Sequence, residues 1–74
     1  MVYSTRLSTA EEAIKLNKLA TAKNFNITVT NGLTTVVDAK SLLALLTLIG
    51  QDIKVVAPDH ASPEEFEDLI KKLR

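Results

Sequence analysis

The chain has 74 residues, against roughly 100–200 for an ordinary domain, so it has room for one domain and excludes a multidomain assembly. Nine Lys+Arg balance nine Asp+Glu, which leaves no general positive field to draw the chain onto nucleic acid or anionic lipid. With no cysteine and a single histidine there is no disulfide framework, no thiolate nucleophile and no basis for a structural zinc site, so neither metal nor cofactor is expected.

The core must be aliphatic, because Tyr3, Phe25 and Phe66 are the only aromatic residues. A chain of this size buries only about 60% of its unfolded surface, so modest stability is expected. The longest aliphatic run, Leu42 to Ile49, is interrupted by Thr47 and far short of the about 20 residues that cross a bilayer. The first residues lack the apolar run of a signal peptide, and a cytoplasmic location is expected by elimination.

In chain order, residues 2–7 alternate loosely and carry β-branched and aromatic side chains, which predicts a first strand. Ser8 or Thr9 then caps a helix over about 9–23, with Glu11 and Glu12 at its positive end and Lys15, Lys18 and Lys23 further on. Ala10, Ala13, Ile14, Asn17 and Ala20 follow the helical repeat, with Leu16 and Leu19 widening the apolar side. Residues 26–31 alternate with period two into Asn31-Gly32, a hairpin signal because both residues tolerate positive φ, and a strand over about 34–38 follows. Ser41 opens a leucine-rich helix closed by Gly50, and residues 52–57 form a fourth strand. Ser62 as cap, Pro63 at the first helical position and Glu65 completing a capping box announce a last helix, whose buried stripe is Phe66, Leu69, Ile70 and Leu73.

The order is therefore βαββαβα, an α+β domain with helices on one face of an antiparallel sheet. That string leaves the strand order open, since ferredoxin-like domains begin in the same way. In the second helix, Leu45, Leu48 and Ile49 fall on one side and Leu42, Leu43 and Leu46 on the adjoining one, an apolar arc of roughly 220°. Such an arc exceeds what facing one sheet requires and predicts a docking patch or dimer surface. Monomer or weak dimer both fit.

The run from Val37 through Asp38, Ala39, Lys40 and Ser41 to Leu48 resembles the regulatory-serine region of HPr, the histidine-containing phosphocarrier family of the sugar phosphotransferase system. That family reads Lys-Ser-Ile/Leu-Met-Gly-x-x-Ser-Leu there. Lys40, Ser41, Leu42 and Leu48 match, while Leu43 and Ala44 replace Met and Gly. The resemblance implies the open-faced β-sandwich, with antiparallel strand order 1-4-2-3, three helices on one face, and one domain over residues 1–74. It also implies protein partners: phosphotransferase-system enzymes, a serine kinase or a transcriptional regulator. Docking would fall on Lys40, Ser41, Leu42, Leu43 and Leu46, with Ser41 a candidate phosphorylation site.

The family's phosphoryl acceptor is a histidine at the start of the first helix, within Gly-x-His-Ala-Arg-Pro. Here the stretch reads Leu7-Ser-Thr-Ala-Glu-Glu-Ala13, and spacing back from Phe25 puts the histidine position near Glu11, whose carboxylate repels phosphate. The expectation is a regulatory or protein-binding member, not an enzyme. Two alternatives stand beside it: a phosphocarrier using another residue such as His60, and a structural interaction or dimerisation module using the leucine-rich helix. As an imidazole, His60 suits proton or phosphoryl transfer, but it lies in a loop with no arginine or second histidine in its local sequence.

Overall fold

The computed structural model describes all 74 residues. Its elements are β1 (Val2–Leu7), α1 (Ala10–Thr21), β2 (Thr28–Thr30), β3 (Val36–Asp38), α2 (Leu42–Leu46), β4 (Gln51–Val56) and α3 (Pro63–Leu73). The strands form one antiparallel sheet in the order β1-β4-β2-β3, which removes the ferredoxin-like alternative. β4 pairs with β1 over six residues, from Val2 opposite Val56 to Leu7 opposite Gln51. Its other edge takes β2, with Val29 opposite Val55.

The pleat sends alternate residues to opposite faces. Leu7, Ile53, Val55 and Val29 are buried on the helix side. Ser4, Arg6, Asp52 and Lys54 are exposed on the other. The helices supply Ala13, Leu16 and Ala20 from α1, Leu45 from α2, and Phe66, Leu69 and Ile70 from α3. The alanines of α1 let its backbone sit close while Leu16 fills the space. Ile14, expected on the inner face, is instead 39% exposed, because the buried stripe centres on Leu16.

The helix ends show where local chemistry was only partly anticipated. α1 spans 10–21 rather than 9–23, and its cap is Thr9 with a complete capping box closed by Glu12. α3 starts at Pro63 as expected, and Ser62 Oγ accepts the Glu65 amide at 3.3 Å. The return arm of that box is missing. The Glu65 carboxylate instead lies 3.9 Å from Lys23 Nζ, which also reaches Asp68 at 3.3 Å and so ties the end of α1 to α3.

The hairpin differs more. Only Gly32 has positive φ, at 79°, so the two-residue turn expected at Asn31-Gly32 does not form. A longer loop over 31–35 takes its place, because Asn31 Oδ1 accepts the amides of Leu33, Thr34 and Thr35 at 3.0, 3.2 and 3.2 Å. An asparagine side chain that satisfies three backbone donors organises the loop without entering the left-handed region itself. β2 and β3 are correspondingly short.

Candidate functional site: the start of α2 and the N-terminus of α1

Ser41 is the N-cap of α2, exposed, with Oγ accepting the Ala44 amide at 3.4 Å. The turn leading to it is held from several sides. Asp38 Oδ1 accepts the Lys40 amide at 2.9 Å, and the Asp38 carbonyl accepts the Ser41 amide at 2.9 Å. Between them Ala39 is buried; its amide donates to the Ile27 carbonyl at 2.9 Å, and its carbonyl accepts Asn17 Nδ2 of α1 at 3.1 Å. Asn17 thus acts as a polar latch between α1 and the entry to α2, a role that its place in the apolar repeat had hidden.

The leucine-rich segment is shorter than its composition suggests. Helical geometry ends at Leu46, and the next residues tighten into i to i+3 turns: Leu48 to Leu45 at 3.0 Å and Gln51 to Leu48 at 3.1 Å. Gly50, with φ of 88°, reverses the chain, and Arg6 Nη2 holds its carbonyl at 2.7 Å. The anticipated apolar arc is therefore partly covered: Leu45 and Leu48 are buried, while Leu42 and Ile49 are half-buried against the core. Leu43 remains 80% exposed and Leu46 36%, one helical turn apart. Lys40 and Ser41 are exposed beside them, so four of the five predicted docking residues face outward and Leu42 mainly packs inward.

Glu11 lies in the first turn of α1, exposed, two residues beyond the cap Thr9. The turn that leads into the helix is closed by a capping box. Glu12 Oε1 accepts the Ser8 amide at 2.7 Å and the Thr9 amide at 3.0 Å, while Thr9 Oγ1 accepts the Glu12 amide at 3.2 Å. The Glu12 carboxylate thus takes the two amides that precede the helix and sits at its positive end, while the first helical amides, of Ala10 and Glu11, are not among its donors.

His60 is exposed in the loop after β4, beside an open cleft of about 360 Å³ shared with Asn24, Asn26 and Thr28. β4 ends with Val56 opposite Val2, whereas α1 follows the Leu7 end of β1. The length of a six-residue strand, about 17–20 Å, thus separates His60 from Glu11 and Glu12. The structure does not bring them together.

No helix is long and apolar enough to cross a membrane. No family model matches the sequence, and neither does any curated protein. Solved structures do match. HPr-C-His from Thermoanaerobacter tengcongensis superposes with a TM-score of 0.76 at 18% identity, covering 99% of this chain and 90% of that one. The phosphocarrier protein HPr from Bacillus anthracis str. Ames gives 0.72 at 17% identity, covering 100% and 96%. Both likenesses run the length of the sheet and its three helices, and the strand order implied by the Lys40–Leu48 resemblance is the one observed. The fold of this chain is that of the HPr phosphocarrier proteins.

Proposed function

We propose that this is a regulatory or protein-binding HPr-like protein that acts through Lys40, Ser41, Leu43 and Leu46 and does not carry a phosphoryl group on the first helix. The observation that carries this reading is the pair of carboxylates, Glu11 and Glu12, in the first turn of α1. A phosphoryl group arriving there would meet the Glu12 carboxylate on the amides of Ser8 and Thr9, and Glu11 one residue before it. Like charges brought together there destabilise the incoming dianion, and no imidazole stands at the start of this helix to accept it.

The exposed leucines support the docking half of the proposal. Leu43 and Leu46 project from a segment anchored by Asp38, Asn17 and Arg6, so a partner meets a preformed surface and little ordering entropy is lost. Ser41 would regulate it: a phosphate there adds about two negative charges at the start of α2, next to Leu43.

The test is incubation with the phosphotransferase system's general enzyme and a phosphoryl donor, and separately with its serine kinase and ATP. Acid-stable phosphate on Ser41, lost in Ser41→Ala, and no acid-labile phosphate on any residue is the expected result. Acid-labile phosphate on His60, abolished by His60→Ala, would replace this reading with that of an unorthodox carrier.

A further inference from the structure

β2 and β4 run side by side only as far as Thr28 and Val56. Beyond that pair each is held by its outer neighbour: the Ala39 amide donates to the Ile27 carbonyl at 2.9 Å, and the Ala57 amide to the Met1 carbonyl at 2.9 Å. Residues that exchange hydrogen bonds across one edge of an antiparallel strand alternate with those bonded across the other, so the next rung between β2 and β4 would join Asn26 to Pro58. Proline has no N–H to give it, and the two strands part. The fork between them is the open cleft of about 360 Å³ beside His60.

One wall carries Asn24, Asn26 and Thr28, which alternate with the buried Phe25 and Ile27; the other carries Val56, Pro58 and His60. Asn17 and Asn31 commit their carboxamides to the fold. Asn17 holds the Ala39 carbonyl, and Asn31, besides organising its loop, donates to Gln51 Oε1 at 3.1 Å, whose Nε2 continues to the Thr47 carbonyl at 3.3 Å. The carboxamides of Asn24 and Asn26, the Thr28 hydroxyl and the His60 imidazole have no such partner, and all four converge on the fork. No Lys, Arg, Asp or Glu lines it.

We propose that this fork binds a small neutral ligand bearing adenine, of the kind represented by adenosine. A carboxamide presents a donor beside an acceptor, and so does the Asn26 main chain where Pro58 leaves it unpaired. Adenine carries the complement on two edges, with its N6 amino group beside N1 and beside N7, and asparagine is a side chain that reads the N6/N7 pair. The N7 and O6 of guanine, both acceptors, suit arginine or lysine instead. Val56 and Pro58 give one face of a flat ring an apolar bed, and the exposed His60 imidazole stacks on it from the cleft mouth. The volume falls near the lower end of the about 300–1,000 Å³ of small-molecule sites, which suits a nucleoside and not a polymer. With no cation in the lining, a phosphate on the ligand adds nothing to binding. The site shares no residue with Lys40, Ser41, Leu43 and Leu46 and does not rest on the function proposed above.

Amide NMR of the full chain titrated with adenosine, guanosine, adenosine monophosphate and ribose is the test. Saturable shifts at residues 24–28 and 56–60 are expected with adenosine, at least about fivefold weaker binding with guanosine, no gain from the phosphate, and no shifts with ribose. Asn24→Ala and Asn26→Ala remove exposed side chains without a partner in the fold, so the unfolding midpoint should stay unchanged while adenosine binding weakens at least about fivefold. The absence of saturable shifts at these residues with millimolar adenosine would overturn the site. Equal binding of adenosine and guanosine, binding of ribose alone, or undiminished affinity in both asparagine variants would overturn the recognition of adenine.

Discussion

Glu12 illustrates how one side chain decides what a helix end can do. In a sequence it is one of two adjacent acids favoured by the helix dipole; in the fold it alone turns back to the amides of Ser8 and Thr9, while Glu11 stays in solvent. Thr9→Ala removes the reciprocal bond to the Glu12 amide and is expected to cost about 0.5–2 kcal/mol in urea unfolding, with no change in m-value. Asp68 makes a second residue-scale prediction. Its hydrogen bond to Lys72, and next that to Lys23, hold its carboxyl below the usual 3.8. A pKa depressed by folding contributes stability that is fully present above the unfolded value and lost as pH falls through the folded one. Asp68→Asn should therefore narrow its stability difference from the wild type as the pH drops below about 4 in acid titrations followed by circular dichroism. An unchanged difference across that range would place the stabilising role of the ion pair elsewhere.

At the scale of elements, α2 divides its leucines between two tasks. Leu45 is fully buried in the core, and Leu45→Ala should cost about 2–5 kcal/mol by calorimetry or denaturant titration. Leu46→Lys exchanges a partly exposed residue and should shift stability by only about 0.5 kcal/mol, while reducing partner capture if the proposed surface is correct. That contrast separates core from surface within one short helix. The periodicity of residues 42–49 read as one continuous amphipathic helix; it could not show that Arg6 reaches the Gly50 carbonyl from distant β1 and holds the turn that follows the shortened helix. The same limit applied to Asn17, whose partner lies 22 residues away.

For the whole molecule, stability of about 0.05–0.15 kcal/mol per residue gives a total of only about 4–11 kcal/mol. Leu45→Ala thus threatens the fold itself, and its lesion should appear as a large loss of folded population. Ser41 and the leucine surface were legible in the sequence because capping and exposure are local properties of a short segment. The separation of His60 from the start of α1 was not, since it follows from β4 pairing antiparallel with β1.

By itself, the sequence determined the order of seven elements, the caps at Ser41 and Ser62, the aliphatic core and the absence of an imidazole near the first helix, because each is encoded by neighbouring residues through backbone sterics, side-chain hydrogen bonding or hydrophobic spacing. Only the tertiary structure decided which leucines are covered, that Glu65 serves Lys23 instead of its own cap, and that Asn31 reaches α2 through Gln51. Those outcomes depend on competition among partners far apart in the chain, and a carboxylate or amide takes whichever donor the packed fold brings nearest.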